Sequence, residues 1–176
     1  MATTLSKYAP NHTIYVFSLW STIDGSKVPP KSENSLRRQL GLLGKIVVMY
    51  SGNLGRTHSL SLLLSASEQL LSQAKLHFVI VSNGPQQKAL HKEATKRGLT
   101  NWTFLPFQPS EMLSISLGMA DLSIVSQLPG SETAFLPCKL YNCMAAGSAI
   151  LAICDSPCDL ESIVNRTQCG YHVKPD

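Results

Sequence analysis

Short, continuous apolar runs alternate along the chain with polar stretches or stretches of helical spacing. Lys45–Gly52 (KIVVMYSG) and Leu76–Gly84 (LHFVIVSNG) are rich in β-branched residues and close on glycine, which predicts strands buried on both faces. The pattern recurs at Asp121–Gln127 and Ser148–Cys154, and in Asn101–Phe107, where a proline interrupts it. Thr13–Trp20 (TIYVFSLW) predicts a first strand, and Tyr171–Val173 starts a last one. Ser59–Gln73, Gln86–Gly98, Pro109–Ala120, Lys139–Ala146 and Asp159–Gly170 predict helices, with Ser110 as an N-cap and Gly98, Gly147 and Gly170 as stops. Ile23–Asn34 is a Pro/Gly/Ser-rich linker.

Buried strands alternating with helices predict parallel βαβ units with right-handed crossovers, hence a Rossmann-like α/β three-layer sandwich. Ligands of such sheets bind at the carboxyl ends of the strands. The polar turns Gly52–Ser59, Gly84–Gln86, Pro106–Ser110 and Leu128–Asn142 each follow a predicted strand, so they are expected to share one rim and frame a cleft.

Composition narrows this picture modestly. A chain of 176 residues, 44% hydrophobic and 15% charged, fits one globular domain without low-complexity segments. Its net charge of +4 is too small and scattered to indicate nucleic acid. The basic cluster Ser35–Lys45 reads as a solvated helix face or linker rather than a membrane anchor. The five cysteines lack paired C-x-x-C spacing or zinc-spaced histidines, and reduced thiols in a cytosolic protein are expected. Sequons at Asn11, Asn101 and Asn165 are taken as chance, since no signal peptide precedes them. No apolar run approaches the ~20 residues that cross a bilayer.

The candidate chemistry gathers in two turns. Gly52 and Gly55, between a strand and a helix, suit either a phosphate at a helix N-terminus or a plain tight turn; the G-x-x-G spacing matches neither the dinucleotide nor the P-loop pattern. Arg56 and His58 beside them either meet a diphosphate or face solvent. Further on, Pro137 starts a helix whose first turn holds Lys139. A lysine there opposes the positive helix end by ~0.3–1 kcal/mol, which makes sense if an anion neutralises both, unless the side chain snorkels away. Glu132 offers a carboxylate to ligand hydroxyls or sits in water, and Asn142 offers an amide to a ribose or is an ordinary helix polar residue. Phe104 reads as core, whereas Pro106 and Phe107 suit the edge of a flat base. Asn53, Leu54, Gly84, Ser131, Thr133, Ala134, Phe135 and Leu140 complete the expected substrate lining. With no D-x-D, H-E-x-x-H or legible Ser-His-Asp order, neither a metal nor a cofactor is expected.

The segments VVMYSGNLG, FVIVSNGP, NWTFLPFQPSEM, ADLSIVS and LPCKLYNCMAAGSAILA occur in this order. Across residues 13–176 the chain thereby resembles the C-terminal half of GT-B glycosyltransferases, closest to the retaining family-4 enzymes that build bacterial exopolysaccharides of the colanic-acid type. The resemblance implies a two-domain, metal-independent transferase whose C-terminal domain holds a UDP-sugar, glucose being the expected hexose, for a polysaccharide or lipid-linked acceptor. It implies that residues 1–40 end an acceptor domain and its linker and that 41–176 form the donor domain. With the N-terminal acceptor domain and the closing helices missing, this piece is expected to bind donor and catalyse little. The whole enzyme is expected in the cytoplasm, peripheral at the inner face of the membrane. Many members carry E-x7-E; Asn142, five residues before Gly147, stands where the second glutamate is expected, and Glu132 is the candidate for the first, ten residues earlier rather than eight. Members often have arginine where Asn53 stands and lysine where His58 stands, so Arg56 and Lys139 would form the cationic pair, with Glu132 at the sugar. Two other classes remain open from the residues: a nucleotide-sugar epimerase half, which calls for more acid/base carboxylates and histidines, and a flavodoxin-like binding module.

Overall fold

The apolar runs pair with one another because a strand buried on both faces can satisfy its backbone only against another strand. A computed structural model describes residues 2–17, 19–54, 60–127, 130–131 and 135–175. Among these, β1 (Ile46–Ser51), β2 (Leu76–Val81), β3 (Trp102–Leu105), β4 (Leu122–Ser126), β5 (Ala149–Ile153) and β6 (Gly170–Val173) form one all-parallel sheet in the order β3-β2-β1-β4-β5-β6. The helices are α1 (Ala2–Tyr8), α2 (Ser35–Gln39), α3 (Ser61–Gln69), α4 (Pro85–Lys96), α5 (Leu113–Leu117), α6 (Lys139–Ala145) and α7 (Asp159–Thr167). The expected Rossmann-like α/β architecture is therefore present.

The core lies on both faces of the sheet. On one face Val47, Met49, Val79, Val125, Ile150 and Ala152 meet Leu140, Leu160 and Val164 of α6 and α7. On the other, Val48, Tyr50, Phe78, Ile80 and Ile124 meet Leu60 and Leu63 beside and within α3. Successive residues of one strand thus feed opposite layers, which is why β1 and β2 read as unbroken apolar runs.

Four expectations are corrected. Thr13–Trp20 is not a strand over its described residues; Tyr15, Val16, Phe17 and Trp20 are exposed, and the sheet ends at β3 and β6 with no partner for this segment. Pro109–Ala120 is a 3-10 turn (Ser110–Met112) followed by the short α5, and the Ser110 hydroxyl bonds Glu111 instead of capping. Gly170 does not end α7. The helix stops at Gln168 in the left-handed region (φ 51°), while Gly170 begins β6 so close to Ile150 that a side chain would collide with the neighbouring backbone.

The fourth correction is Arg37, which lies in the cluster expected to be solvated. It is buried, and it donates from Nε and Nη2 to the Met119 carbonyl at 2.8 and 2.6 Å. Nη2 also pairs with Asp121, whose Oδ2 accepts the Val47 N–H at 2.7 Å and whose Oδ1 lies 2.9 Å from Lys31 Nζ. Burial works against the Asp121 carboxylate, but the bonds from Val47, Lys31 and Arg37 hold its pKa below the ordinary value. Asn34 completes the clasp: its Oδ1 caps α2 at Arg37 N, and its Nδ2 reaches the Ile115 carbonyl at 2.8 Å. Residues 31–37 are thereby fastened to the amino ends of β1 and β4.

Removing the Arg37 side chain empties a buried site and takes from the Met119 carbonyl both guanidinium donors and from Asp121 one of its two cations. Arg37→Ala should lower unfolding stability by about 3 kcal/mol in urea titrations at pH 7. Arg38→Ala, at an exposed neighbour, should stay within about 0.5 kcal/mol of the parent.

Candidate functional site

In this all-parallel sheet the chain adds strands to one side of β1 through β3 and to the other side from β4 onward, so the connections leaving β1 and β4 diverge at a switch point, where such sheets form a crevice at the carboxyl ends. The β1 side is the Gly52 turn. Gly52 donates its N–H to the Val81 carbonyl at 3.0 Å and has φ +148°, a value side chains rarely allow. The Tyr50 hydroxyl, facing the same crevice, donates to the Asn53 carbonyl at 2.9 Å. The β4 side is the loop that leads to α6. Gln127, buried just after β4, donates from Nε2 to the Ser131 carbonyl at 3.1 Å and to the Phe135 carbonyl, so one amide holds both of these positions.

Lys139 crosses from one side to the other. It opens α6, yet its side chain turns back so that Nζ stands 3.9 Å from the centroid of the Tyr50 ring. A methyl group at Gly52 would meet this Nζ at 3.0 Å, so the glycine is what lets the ammonium reach the β1 turn. Nζ is buried and has no hydrogen-bond partner among the described residues. Burial pushes its pKa down to about 8, with weak opposing pull from Cys143 and Cys138. The Tyr50 ring face offsets part of the desolvation, since cation–π contact contributes ~0.5–2 kcal/mol. Among the described residues this cation has no hydrogen-bond partner.

The other predicted site residues divide. Gly84 precedes α4 at φ +97° on the same rim, and Pro106 and Phe107 follow β3 there, with Phe107 exposed and its N–H donated to Asn83 Oδ1 at 3.3 Å. Phe135 is also exposed, and the Ser131 carbonyl accepts from Gln127. Leu54 and Leu140 are buried in the two core layers, so they support the turns from beneath. Arg56, His58, Glu132, Thr133 and Ala134 lie outside the described residues.

Asn142, one turn along α6, has its amide engaged by the entering chain. Oδ1 accepts from Ser21 Oγ at 3.0 Å, Thr22 N at 2.8 Å and Thr22 Oγ1 at 3.3 Å, and Nδ2 donates to Thr22 Oγ1 at 3.1 Å. Just beyond, Gly25 lies so near the Ala145 carbonyl that a Cβ would fall 2.8 Å from its oxygen. Sequence reasoning overlooked Tyr50 and Gln127. Their signals were a phenol two residues before a glycine turn and an amide where a buried strand ends.

The family pattern described as glycosyl transferases group 1 matches residues 32–176. The chain is 34% identical over 145 residues to an Escherichia coli (strain K12) protein named as a colanic acid biosynthesis glycosyl transferase, WcaI, covering 81% of this chain and 35% of that protein. It therefore spans about a third of that relative's length. The fold is similar to that of WaaG, a glycosyltransferase involved in lipopolysaccharide biosynthesis (TM-score 0.75, 16% identity, 99% of this chain and 47% of that one). It is also similar to Anabaena Alr3699/HepE in complex with UDP-glucose (TM-score 0.68, 20% identity, 89% and 43%). Among the described residues no helix is long and apolar enough to cross a membrane.

The uncompensated ammonium has a stability signature. Its folded pKa of about 8 lies below the ordinary 10.5, so the charged form costs stability below pH 8, and that cost fades as pH rises to 10.5. Lys139→Met should therefore stabilise the ligand-free protein at pH 7 by about 1–3 kcal/mol. Urea titrations at pH 7 and at higher pH should show the difference shrinking across that window.

Proposed function

Because the chain belongs to the group 1 glycosyl transferases and takes the fold of a GT-B C-terminal domain, we propose that it holds a UDP-sugar, with the diphosphate between the Gly52 turn and Lys139. The observation that carries this reading is the Lys139 ammonium, desolvated in the switch-point crevice and lacking a partner among the described residues. A buried cation is costly unless paired, and an anionic ligand supplies the pair. The complex of Alr3699/HepE with UDP-glucose supports UDP-glucose as the first donor to test.

In this reading the chain belongs to a retaining hexosyltransferase that acts on a polysaccharide or lipid-linked acceptor. As the bond from the sugar to the β-phosphate oxygen breaks, negative charge gathers on the departing UDP. Lys139 is already in place to meet it and needs no reorganisation, the condition under which electrostatic stabilisation is strongest. Arg56, from the turn after β1, adds a second cation, so the charge is carried by side chains without a divalent ion. Glu132, next in sequence to Ser131, receives sugar hydroxyls and sets the hexose for transfer. Phe107, exposed on the rim beyond β3, meets the base.

UDP should bind far more tightly than uridine, and Lys139→Ala should cost UDP ~1.5–3 kcal/mol in calorimetry, the range of a charged hydrogen bond. Equal affinities for uridine and UDP would overturn the anion site. Bound diphosphate restores the Lys139 pKa upward, so binding near pH 8 takes up a proton, and affinity declines as pH rises above about 8. Lys139→Met should abolish that decline. EDTA and manganese should leave UDP affinity unchanged. Glu132→Ala should weaken UDP-glucose while sparing UDP; equal losses for both would remove its role at the sugar.

A further inference from the structure

β5 ends at Ile153 and the chain turns through Cys154–Cys158 into α7. In that turn the Cys158 and Cys154 sulfurs lie 3.2 Å apart, the one pair of thiols in hydrogen-bond contact among the described residues. Cys154 is fully buried, whereas Cys158 is partly exposed. Both are held. Cys158 caps α7 by accepting the Glu161 N–H at Sγ, 3.3 Å away, and the Cys154 carbonyl is bonded to His172 Nε2 at 2.8 Å. Glu161 braces the turn from the other side: its Oε2 accepts from Ser156 Oγ at 2.7 Å, and its Oε1 lies 3.5 Å from His172 Nδ1. A disulfide needs its sulfurs at about 2.05 Å, so closure asks for a shift of roughly an ångström within a turn whose ends are already fixed.

We infer that Cys154 and Cys158 are a reversible disulfide site, closed by a hydroperoxide that reaches Cys158 first. The acidic surroundings, with Asp155, Asp159 and Glu161 near the turn, favour a small neutral oxidant over an anionic one. Burial pushes the Cys154 thiol well up, so it serves as the second, resolving group. The Cys158 sulfur attacks the peroxide; its S–O bond forms, the O–O bond breaks, and the thiol proton leaves with the departing alkoxide as alcohol (water for hydrogen peroxide). The Cys154 sulfur then attacks Cys158. The S–S bond forms, the S–O bond breaks, and the hydroxyl departs as water with the Cys154 proton. Two thiols are oxidised by two electrons and one peroxide is reduced. An external thiol reverses the step by exchange. The inference does not depend on the donor assignment.

The test uses the whole chain and hydrogen peroxide at one equivalent, followed by alkylation under denaturing conditions and peptide mapping. Free thiols should fall from five to three, with one cross-link joining Cys154 to Cys158, and dithiothreitol should restore all five. Cys158→Ser should form no cross-link while keeping its four thiols. Five thiols persisting in folded wild type would overturn the inference. So would Cys158 oxidised beyond sulfenic acid with Cys154 still open to alkylation. Because the decisive mapping is on the wild-type chain, loss of fold in a variant cannot mimic either outcome.

Discussion

β1 and β4 lie side by side although β2, β3 and three helices separate them in the chain. That pairing governs the rest of the molecule. To its one side the sheet grows through β2 to β3, to the other through β5 to β6, and the connections therefore leave the shared rim in opposite senses. Such a switch point at the sheet's midline is where parallel sheets form a ligand crevice. Its register sets Val48 against Leu122 and Met49 against Ser123, which places the Gly52 turn opposite the loop that leads to α6.

The two ends of this strand pair treat charge in contrasting ways. At the amino end Arg37 is buried with every direction answered: Asp121, the Met119 and Lys45 carbonyls, and the Asn34 cap on its own helix. At the carboxyl end Lys139 is buried against the Tyr50 ring face, with no hydrogen-bond partner among the described residues. A charge taken out of water must be compensated or it weakens the fold. The first arrangement holds residues 31–37 to the domain; the second stores a cost that an anion can relieve. Paired and unpaired charge are thus separated along one pair of strands.

Segment 21–28 adds a further constraint. Asn142 spends its amide on Ser21 and Thr22, and Gly25 presses on the end of α6, so the helix that carries Lys139 is tied to the chain that enters the domain. Both the crevice cation and this tie belong to one seven-residue helix. A displacement of the entering segment would be felt at Lys139 through that helix.

How much was legible follows from the range of the forces involved. Each of the six strands has its counterpart in a predicted run, β1, β2, β4 and β5 in apolar ones, while α3 was marked by apolar spacing and α4 and α6 by the glycines that follow them, because local patterning reports burial and chain reversal directly. The glycine turn, Lys139 and the rim residue Phe107 could be singled out for the same reason, since strand ends in a parallel sheet point to one rim. Other features needed tertiary structure. Thr13–Trp20 has the composition of a strand, but a strand exists only where a neighbour offers its edge. Arg37 looked solvated because its partners, Asp121 and the Met119 carbonyl, are remote in the chain. Asn142 could be placed one turn from Lys139 from the sequence, yet its bonds to Ser21 and Thr22 arise from a return of the chain. The sequence by itself determined which residues must leave water. Only the fold decided which charges found partners there and which, like Lys139, have none among the described residues, because partnership inside a protein depends on contacts between distant segments that no local pattern encodes.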